Sequence, residues 1–132
     1  MGSNIQGAGK HLTVVQLETA VSTPDSSTTA EINAWVPSQN AQIVEATLTV
    51  TSPGTVTNTG DQTLSLGDGT TVALATASNA DATSAAGTII TFSGINTARA
   101  TAAGGTKLVL TNTEAGTVGD GLHGSLSITW AL

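Results

Sequence analysis

Apolar and polar residues alternate along most of two long stretches of this chain. The stretches are QIVEATLTVT at 42–51 and SLSITWAL at 125–132. Successive side chains of a β-strand point to opposite faces, so each stretch is predicted to bury one face and expose the other. The predicted buried faces consist of Val44, Ala46, Leu48 and Val50 in the first stretch, and of Leu126, Ile128, Trp130 and Leu132 in the second. Because no amphipathic helix longer than two turns is visible, the pattern predicts an all-β protein.

Turn residues divide the rest of the chain into further short strands. Pro53-Gly54 ends one alternating stretch, and Gly67-Asp68-Gly69 separates two others as a predicted hairpin turn. The small-residue segments 76–87 and 94–105 are predicted to be loops. About eight strands are predicted, at 12–17, 31–36, 42–51, 62–66, 70–75, 88–93, 106–112 and 125–132. Short strands punctuated by Gly and Pro indicate a two-sheet β-sandwich, jelly-roll-like in type.

The chain length sets the domain organisation. A chain of 132 residues is enough for one domain with its own core. Residues 1–11 are polar, contain glycine and show no periodicity, so they are predicted to form a flexible N-terminal arm. The sequence therefore predicts a single β-sandwich domain over 12–132 preceded by that arm.

Charge composition excludes two classes of partner. The chain has 3 Lys and Arg against 9 Asp and Glu, for a net charge of −6. Three cations are too few to displace the counterions of nucleic-acid phosphates or to bind an anionic membrane surface. We therefore expect no nucleic-acid partner and no membrane partner. The absence of cysteine removes disulfides and thiolate metal sites.

One glycine motif resembles a nucleotide-binding loop. Gly119, Gly121 and Gly124 spell G-x-G-x-x-G. Such a loop binds a pyrophosphate only where it follows a strand and opens a helix, because the helix N-terminus holds the anion. Here Gly124 opens the last predicted strand, so the motif is interpreted as a corner between strands.

No residue set indicates catalysis, a cofactor or a metal. His11 and His123 are the two histidines, and no G-x-S-x-G motif accompanies them. Asp61, Asp68 and Asp120 lie next to or near glycines, where a calcium site is a weaker hypothesis than a turn in which Asp bonds its own backbone. The sequence predicts a protein that is not an enzyme and has no cofactor.

Two tryptophans are the main large side chains. Trp130 lies on the apolar side of its predicted strand, which favours burial in the core or in a subunit interface. The pattern around Trp35 leaves both burial and exposure open.

The order and texture of the strands resemble a known family. A polar N-terminal segment precedes IVEATLTVT, then LSLGDGTTVAL, then small-residue loops and a final GSLSITWAL. This chain is similar to the small head decoration, or cement, proteins of tailed bacteriophages. The resemblance implies a jelly-roll or β-sandwich module that binds the outside of the capsid and stabilises it. It also implies the major capsid protein as partner, a homo-oligomer with a trimer favoured over a dimer, and a location on the outer capsid surface of the virion after synthesis in the host cytoplasm.

Three residues are predicted to bind a partner. Ile5 and Leu12 are the first apolar residues in a polar stretch, and they are predicted to anchor the arm to the shell or to a neighbouring subunit. Trp35 is the third. The alternative function is a receptor- or glycan-binding head of a phage tail fibre, for which an exposed Trp35 or Trp130 is expected.

Overall fold

A computed structural model describes residues 14–23, 29–38, 41–55, 61–68, 73–96, 103–114 and 121–132. All regular structure in these ranges is β-strand, which confirms the predicted all-β class. No helix among the described residues is long and apolar enough to cross a membrane. The predicted arm at 1–11, with Ile5, and the predicted anchor Leu12 lie outside the described residues. The nine strands are β1 (Val14–Ser22), β2 (Thr29–Trp35), β3 (Gln42–Ser52), β4 (Asp61–Gly67), β5 (Ala73–Asp81), β6 (Ile89–Thr91), β7 (Gly94–Ile95), β8 (Lys107–Glu114) and β9 (His123–Ala131).

The strands form two antiparallel sheets with nested pairing. One sheet has the order β1-β9-β3-β6 and the other β2-β8-β4-β5-β7. Four pairs are nested in the sequence, each enclosing the next: β1·β9, β2·β8, β3·β6 and β4·β5. This is the arrangement of a jelly roll, in which one long antiparallel hairpin wraps into two facing sheets. The predicted two-sheet, jelly-roll-like sandwich is confirmed.

The chain closes one side of the sandwich by crossing from one sheet to the other. β6 pairs with β3 in one sheet, and β7 pairs with β5 in the other. Between them, the buried Phe92 donates its backbone N–H to the carbonyl of Ala46 at 2.9 Å. On the opposite side the two sheets end at β1 and β2.

The inner faces of both sheets supply the core. In β9, Leu126, Ile128 and Trp130 are buried, as the alternation predicted. Leu132 is exposed, and the prediction for it is wrong because β9 ends at Ala131, so the next residue leaves the sheet.

A β-bulge corrects the predicted face of β3. Ile43 pairs with Trp130 and Glu45 with Thr129, so Val44 is an extra residue in the register. The bulge turns Val44 outward, where it is 55% exposed, and turns Ile43 inward. Beyond the bulge, Ala46, Leu48 and Val50 are buried as predicted.

Two predicted loops contain strand residues. β5 continues to Asp81, through the whole first half of the segment 76–87, because Ala77 and Ala80 pair with β4 and are buried. The second segment, 94–105, opens with the two-residue strand β7. Small side chains carry little hydrophobic pattern, so their strand character depends on the neighbouring strand.

Candidate functional site

The strand register defines two ends of the sandwich. At one end Val14 and Gln42 both align with Ala131, where β1 and β3 begin and β9 finishes. At the other end Ser22 and Ser52 both align with His123, where β9 begins. We call the first the apolar end and the second the cleft end, for the features described next.

Exposed large hydrophobic side chains concentrate at the apolar end. Five of the six such side chains in the described ranges lie there, and the sixth, Ile89, lies toward the other end beside Thr49. Clustered exposed apolar side chains on a soluble protein mark interaction surfaces, whereas scattered ones need no explanation. The five are Val14, Val15, Trp35, Val44 and Leu132.

Trp35 presents its ring on the outer side of β2, 47% exposed. It pairs with Lys107 of β8, whose Nζ lies 5.6 Å from the centroid of the indole ring, within range of a cation–π contact. The same Nζ lies 3.5 Å from Oε1 of Glu31. Trp35 is therefore held at the surface by its pairing strand, which suits the predicted partner-binding role; that role stays a prediction. Trp130 is 1% exposed and lies in the core.

The cleft end carries a polar depression of about 350 Å³. Two hydrogen bonds join the lining residue Thr23 to Leu122. The Leu122 N–H donates to Thr23 Oγ1, and the Thr23 N–H donates to the Leu122 carbonyl, both at 2.9 Å. Hydroxyl groups dominate the lining, so the cleft offers hydrogen bonds and little charge. The lining residues are Ser22, Thr23, Ser52, Pro53, Thr55, Gly121 and His123.

A serine and a histidine meet at the rim of this cleft. Ser22 Oγ and His123 Nδ1 are 2.7 Å apart, and both side chains are exposed. A nucleophilic serine needs a base that a third group orients, usually a carboxylate on the other ring nitrogen. No carboxylate hydrogen-bonds to His123 among the contacts of the described residues. The pair ties β1 to β9 at the end of the sheet. His123 is the first residue of β9, and His11 lies outside the described residues.

The described part of the glycine motif leads into a strand: Gly121 lies just before β9, and Gly124 is the second residue of that strand. Gly121 is buried, and a Cβ placed on it would overlap the carbonyl oxygen of Thr23. A Cβ on Gly124 would lie 2.6 Å from the carbonyl oxygen of Thr49. These glycines permit close backbone approach, and the element that begins here is the strand β9, where a phosphate loop requires a helix. Gly119 lies outside the described residues.

The calcium hypothesis gains no support from the residues in view. Asp61 and Asp68 lie at and just beyond opposite ends of β4, and Asp120 is outside the described ranges. Among the side chains that the structure describes, no three His, Asp or Glu come together in a metal-binding group. Asp81, a different aspartate, bonds to nearby groups of its own turn. Its Oδ1 accepts from the Thr83 hydroxyl at 2.6 Å and from the Thr83 N–H at 2.8 Å. These bonds, the hydroxyl foremost, hold the pKa of Asp81 below its ordinary value.

Val44 and the exposed start of β1 are surface features that the sequence did not predict. A signal for both was present, because Val14-Val15 and Ile43-Val44 are adjacent apolar pairs that interrupt alternation. Such a pair places one apolar residue on each face of a strand, so one of the two faces outward. The Ser22–His123 contact carried no signal, since the two residues are 101 positions apart.

The fold of this chain is similar to that of chains in two phage capsid structures. A chain of the cyanophage Pam1 capsid asymmetric unit matches with a TM-score of 0.53 and 20% identity, over 98% of this chain and 91% of that one. A chain of the acidic stable capsid of Helicobacter pylori bacteriophage KHP30 matches with a TM-score of 0.50 and 21% identity, over 90% and 87%. A chain of the disulfide-linked pili of Bacillus endospore appendages has a TM-score of 0.44 and 20% identity, over 95% and 94%. No family model and no curated protein sequence matches this chain.

Proposed function

We propose that this chain is a structural protein of a phage virion that attaches to the outer surface of the capsid as a homo-oligomer and stabilises it. The observation that carries the proposal is the likeness of nearly the whole jelly roll to a chain of the cyanophage Pam1 capsid asymmetric unit. The match includes 91% of that chain, so it concerns a complete module of similar size. The proposal assigns the chain no catalytic activity and no cofactor.

The apolar end is the surface that this function would use. Trp35, Val14, Val44 and Leu132 place exposed apolar area at one end of a protein with few charges. Aromatic anchors surrounded by smaller apolar contacts are typical of the centre of an interface. Many copies bound through an oligomer gain avidity, so each contact with the major capsid protein is allowed to be modest. The predicted anchors Ile5 and Leu12 precede β1, which begins at this same end.

Co-sedimentation with shells of the source phage, stripped of their small proteins, tests the proposal. Saturable pelleting at a fixed ratio to the major shell subunit is expected, and that ratio together with the solution mass checks the predicted trimer. Trp35→Ala is expected to weaken pelleting at least tenfold. Ile89→Ala, which truncates an exposed apolar side chain away from the apolar end, is the control. Deleting residues 2–11 tests the arm. Wild-type protein that stays in the supernatant would refute capsid attachment.

The exposed Trp35 ring also favours a second candidate, the glycan-binding head of a tail fibre. Sugars stack on exposed aromatic faces, and Trp35 is such a ring, although the Lys107 ammonium lies over it. Titration with a glycan panel, followed by tryptophan fluorescence, separates the two functions. A saturable change that Trp35→Ala abolishes would support the fibre head, and a flat response beside capsid pelleting would exclude it.

A further inference from the structure

β1 is an edge strand, and its backbone is regular along its whole length. It pairs with β9 without interruption from Val14 opposite Ala131 to Ser22 opposite His123. No strand lies on its other side among the described residues. β1 contains no Pro, Lys or Arg and a single charged residue, Glu18. Proteins commonly protect edges with charges, prolines or bulges, because unpaired backbone groups are a template for another strand.

The other three sheet edges are not of this kind. β2 has an irregular register between Glu31 and Trp35, and Glu31 makes an ion pair with Lys107 beside it. β6 has three residues and β7 has two, too short to pair extensively. Within the part of the chain that the structure describes, β1 alone presents a long and regular edge.

The core-facing side of β1 is also incompletely covered. Residues opposite each other in an antiparallel pair share a face, so Val15 and Leu17 share the core face with their partners Trp130 and Ile128. Both partners are buried, yet Val15 is 37% exposed and Leu17 is only partly buried. Apolar surface of the core therefore continues to the free edge, where a further strand would cover it.

We propose that β1 pairs antiparallel with β1 of a second copy of this chain about a two-fold axis. Pairing would join two four-stranded sheets into one sheet of eight strands and keep both core faces on the same side. A second copy is the occupant because it supplies an edge of the same length and the same apolar face, as an isologous contact requires. The contact gives a dimer by itself, or a hexamer if the predicted trimer also forms. It goes beyond the proposed function, since it does not depend on the capsid.

Charge and exposed area select the register. With Glu18 on the axis, two carboxylates would face each other directly, which is destabilising. With Leu17 on the axis, Gln16 faces the partner's Glu18, while Val15 faces the partner's Thr19. The Gln16 Nε2 donates to Ser127 Oγ at 3.2 Å, and its second amide hydrogen remains for the partner's carboxylate. An axis at Thr19 also separates the charges, but it leaves Val14 and Val15 exposed. The geometry points to Leu17 on the two-fold axis.

The absence of cysteine makes this register directly testable by cross-linking. Leu17→Cys places two thiols opposite each other, and opposite Cβ atoms in such a pair are about 4.5–5.5 Å apart, close enough for a disulfide. Mild oxidation of the full-length variant, without capsids, is expected to convert more than half of it to a covalent dimer that reductant reverses. Ile89→Cys, exposed on the short edge β6, is the control and is expected to remain monomeric on the gel.

Two further variants check the register and the edge. Val15→Cys and Thr19→Cys are each expected not to cross-link, since each thiol would lie about 13 Å from its own copy along the strands, whereas the double variant should cross-link. Val15→Lys, which adds charge to the edge, is expected to halve the mass measured by light scattering with an unchanged near-ultraviolet circular dichroism spectrum.

A Leu17→Cys protein that cross-links no faster than Ile89→Cys would overturn the pairing. So would a wild-type mass of one or three copies. Efficient cross-linking of Thr19→Cys alone would overturn the register. These outcomes are independent of the capsid sedimentation experiment, so a failure of one proposal is distinguishable from a failure of the other.

Discussion

The two ends of the sandwich are built from the same strands but differ in what they bury and expose. At the apolar end Trp130 and Ile43 are buried, and Val14, Trp35 and Val44 lie exposed above them. At the cleft end the interior includes polar residues, and the surface carries hydroxyl groups and the Ser22–His123 contact. The buried polar residues there are Thr23, Gln62 and Asn112.

This difference separates two ways of finishing a β-sandwich. At the cleft end, Gly121 and Thr23 bring two backbones into direct contact, and hydrogen bonds between Thr23 and Leu122 complete the closure. This closure gives the buried Thr23 hydroxyl and the backbone groups of Thr23 and Leu122 hydrogen-bond partners within the chain. At the apolar end, exposed side chains leave area that only another molecule would cover. The proposed partners therefore belong at the apolar end and along β1.

The largest expected difference in stability is between variants of the two tryptophans at the apolar end. Trp130→Ala removes a fully buried ring and is expected to lower the free energy of unfolding by about 3–5 kcal/mol. Trp35→Ala removes an exposed ring with one cation–π contact, so its expected cost is below about 1 kcal/mol. Urea unfolding followed by circular dichroism measures both. Equal losses for the two variants would contradict the assignment of one ring to the core and the other to the surface.

A smaller loss of stability is expected from adding a methyl group where two backbones meet at the cleft end. Gly121→Ala forces a methyl group against the Thr23 carbonyl, which cannot rotate away, so a loss of about 1–3 kcal/mol or more is expected. Gly94→Ala is the matched control toward the other end, where the methyl group would meet the Thr76 hydroxyl, a group on a rotatable side chain. Its melting temperature should fall less. A Gly121→Ala protein with wild-type stability would show that the cleft-end closure is not rigid.

The smallest effect concerns acid stability at the cleft end. Because the folded pKa of Asp81 lies below its ordinary value of 3.8, its bonds to Thr83 stabilise the fold above that pH and lose their effect as the pH falls through the lowered pKa. Thr83→Val removes the hydroxyl donor and is expected to cost less than about 1 kcal/mol at neutral pH, since the pair is exposed. Urea midpoints of both proteins should converge in acid. A difference that grows as the pH falls would contradict this account.

The sequence predicted the buried faces of β3 and β9, and its error at Val44 has an identifiable reason. Leu126, Ile128 and Trp130 were predicted to be buried because strict alternation has one solution. Val44 was assigned to the same face as Ala46, and the bulge between Ile43 and Glu45 reverses that assignment. A bulge inserts one residue without changing composition, so the period continues correctly on one side only.

The candidate surfaces were less predictable than the core. Trp35 was named, but the alternation around it did not decide between burial and exposure. The cleft depends on Ser22, Ser52 and His123 meeting across three strands, and the edge of β1 depends on which strands lie beside it. Both are consequences of pairing between residues far apart in the chain.

The sequence by itself determined the fold class, because alternating side chains and turn residues act over a few neighbouring positions. It also determined the low charge, from which we expect no nucleic-acid partner and no membrane partner. The tertiary structure alone decided the order of the strands, the bulge at Val44 and the position of β1 at the edge of its sheet among the described residues. These features follow from competition among strands for partners. Local propensity is nearly the same for each strand. The choice of neighbour is made by the core that all nine strands share.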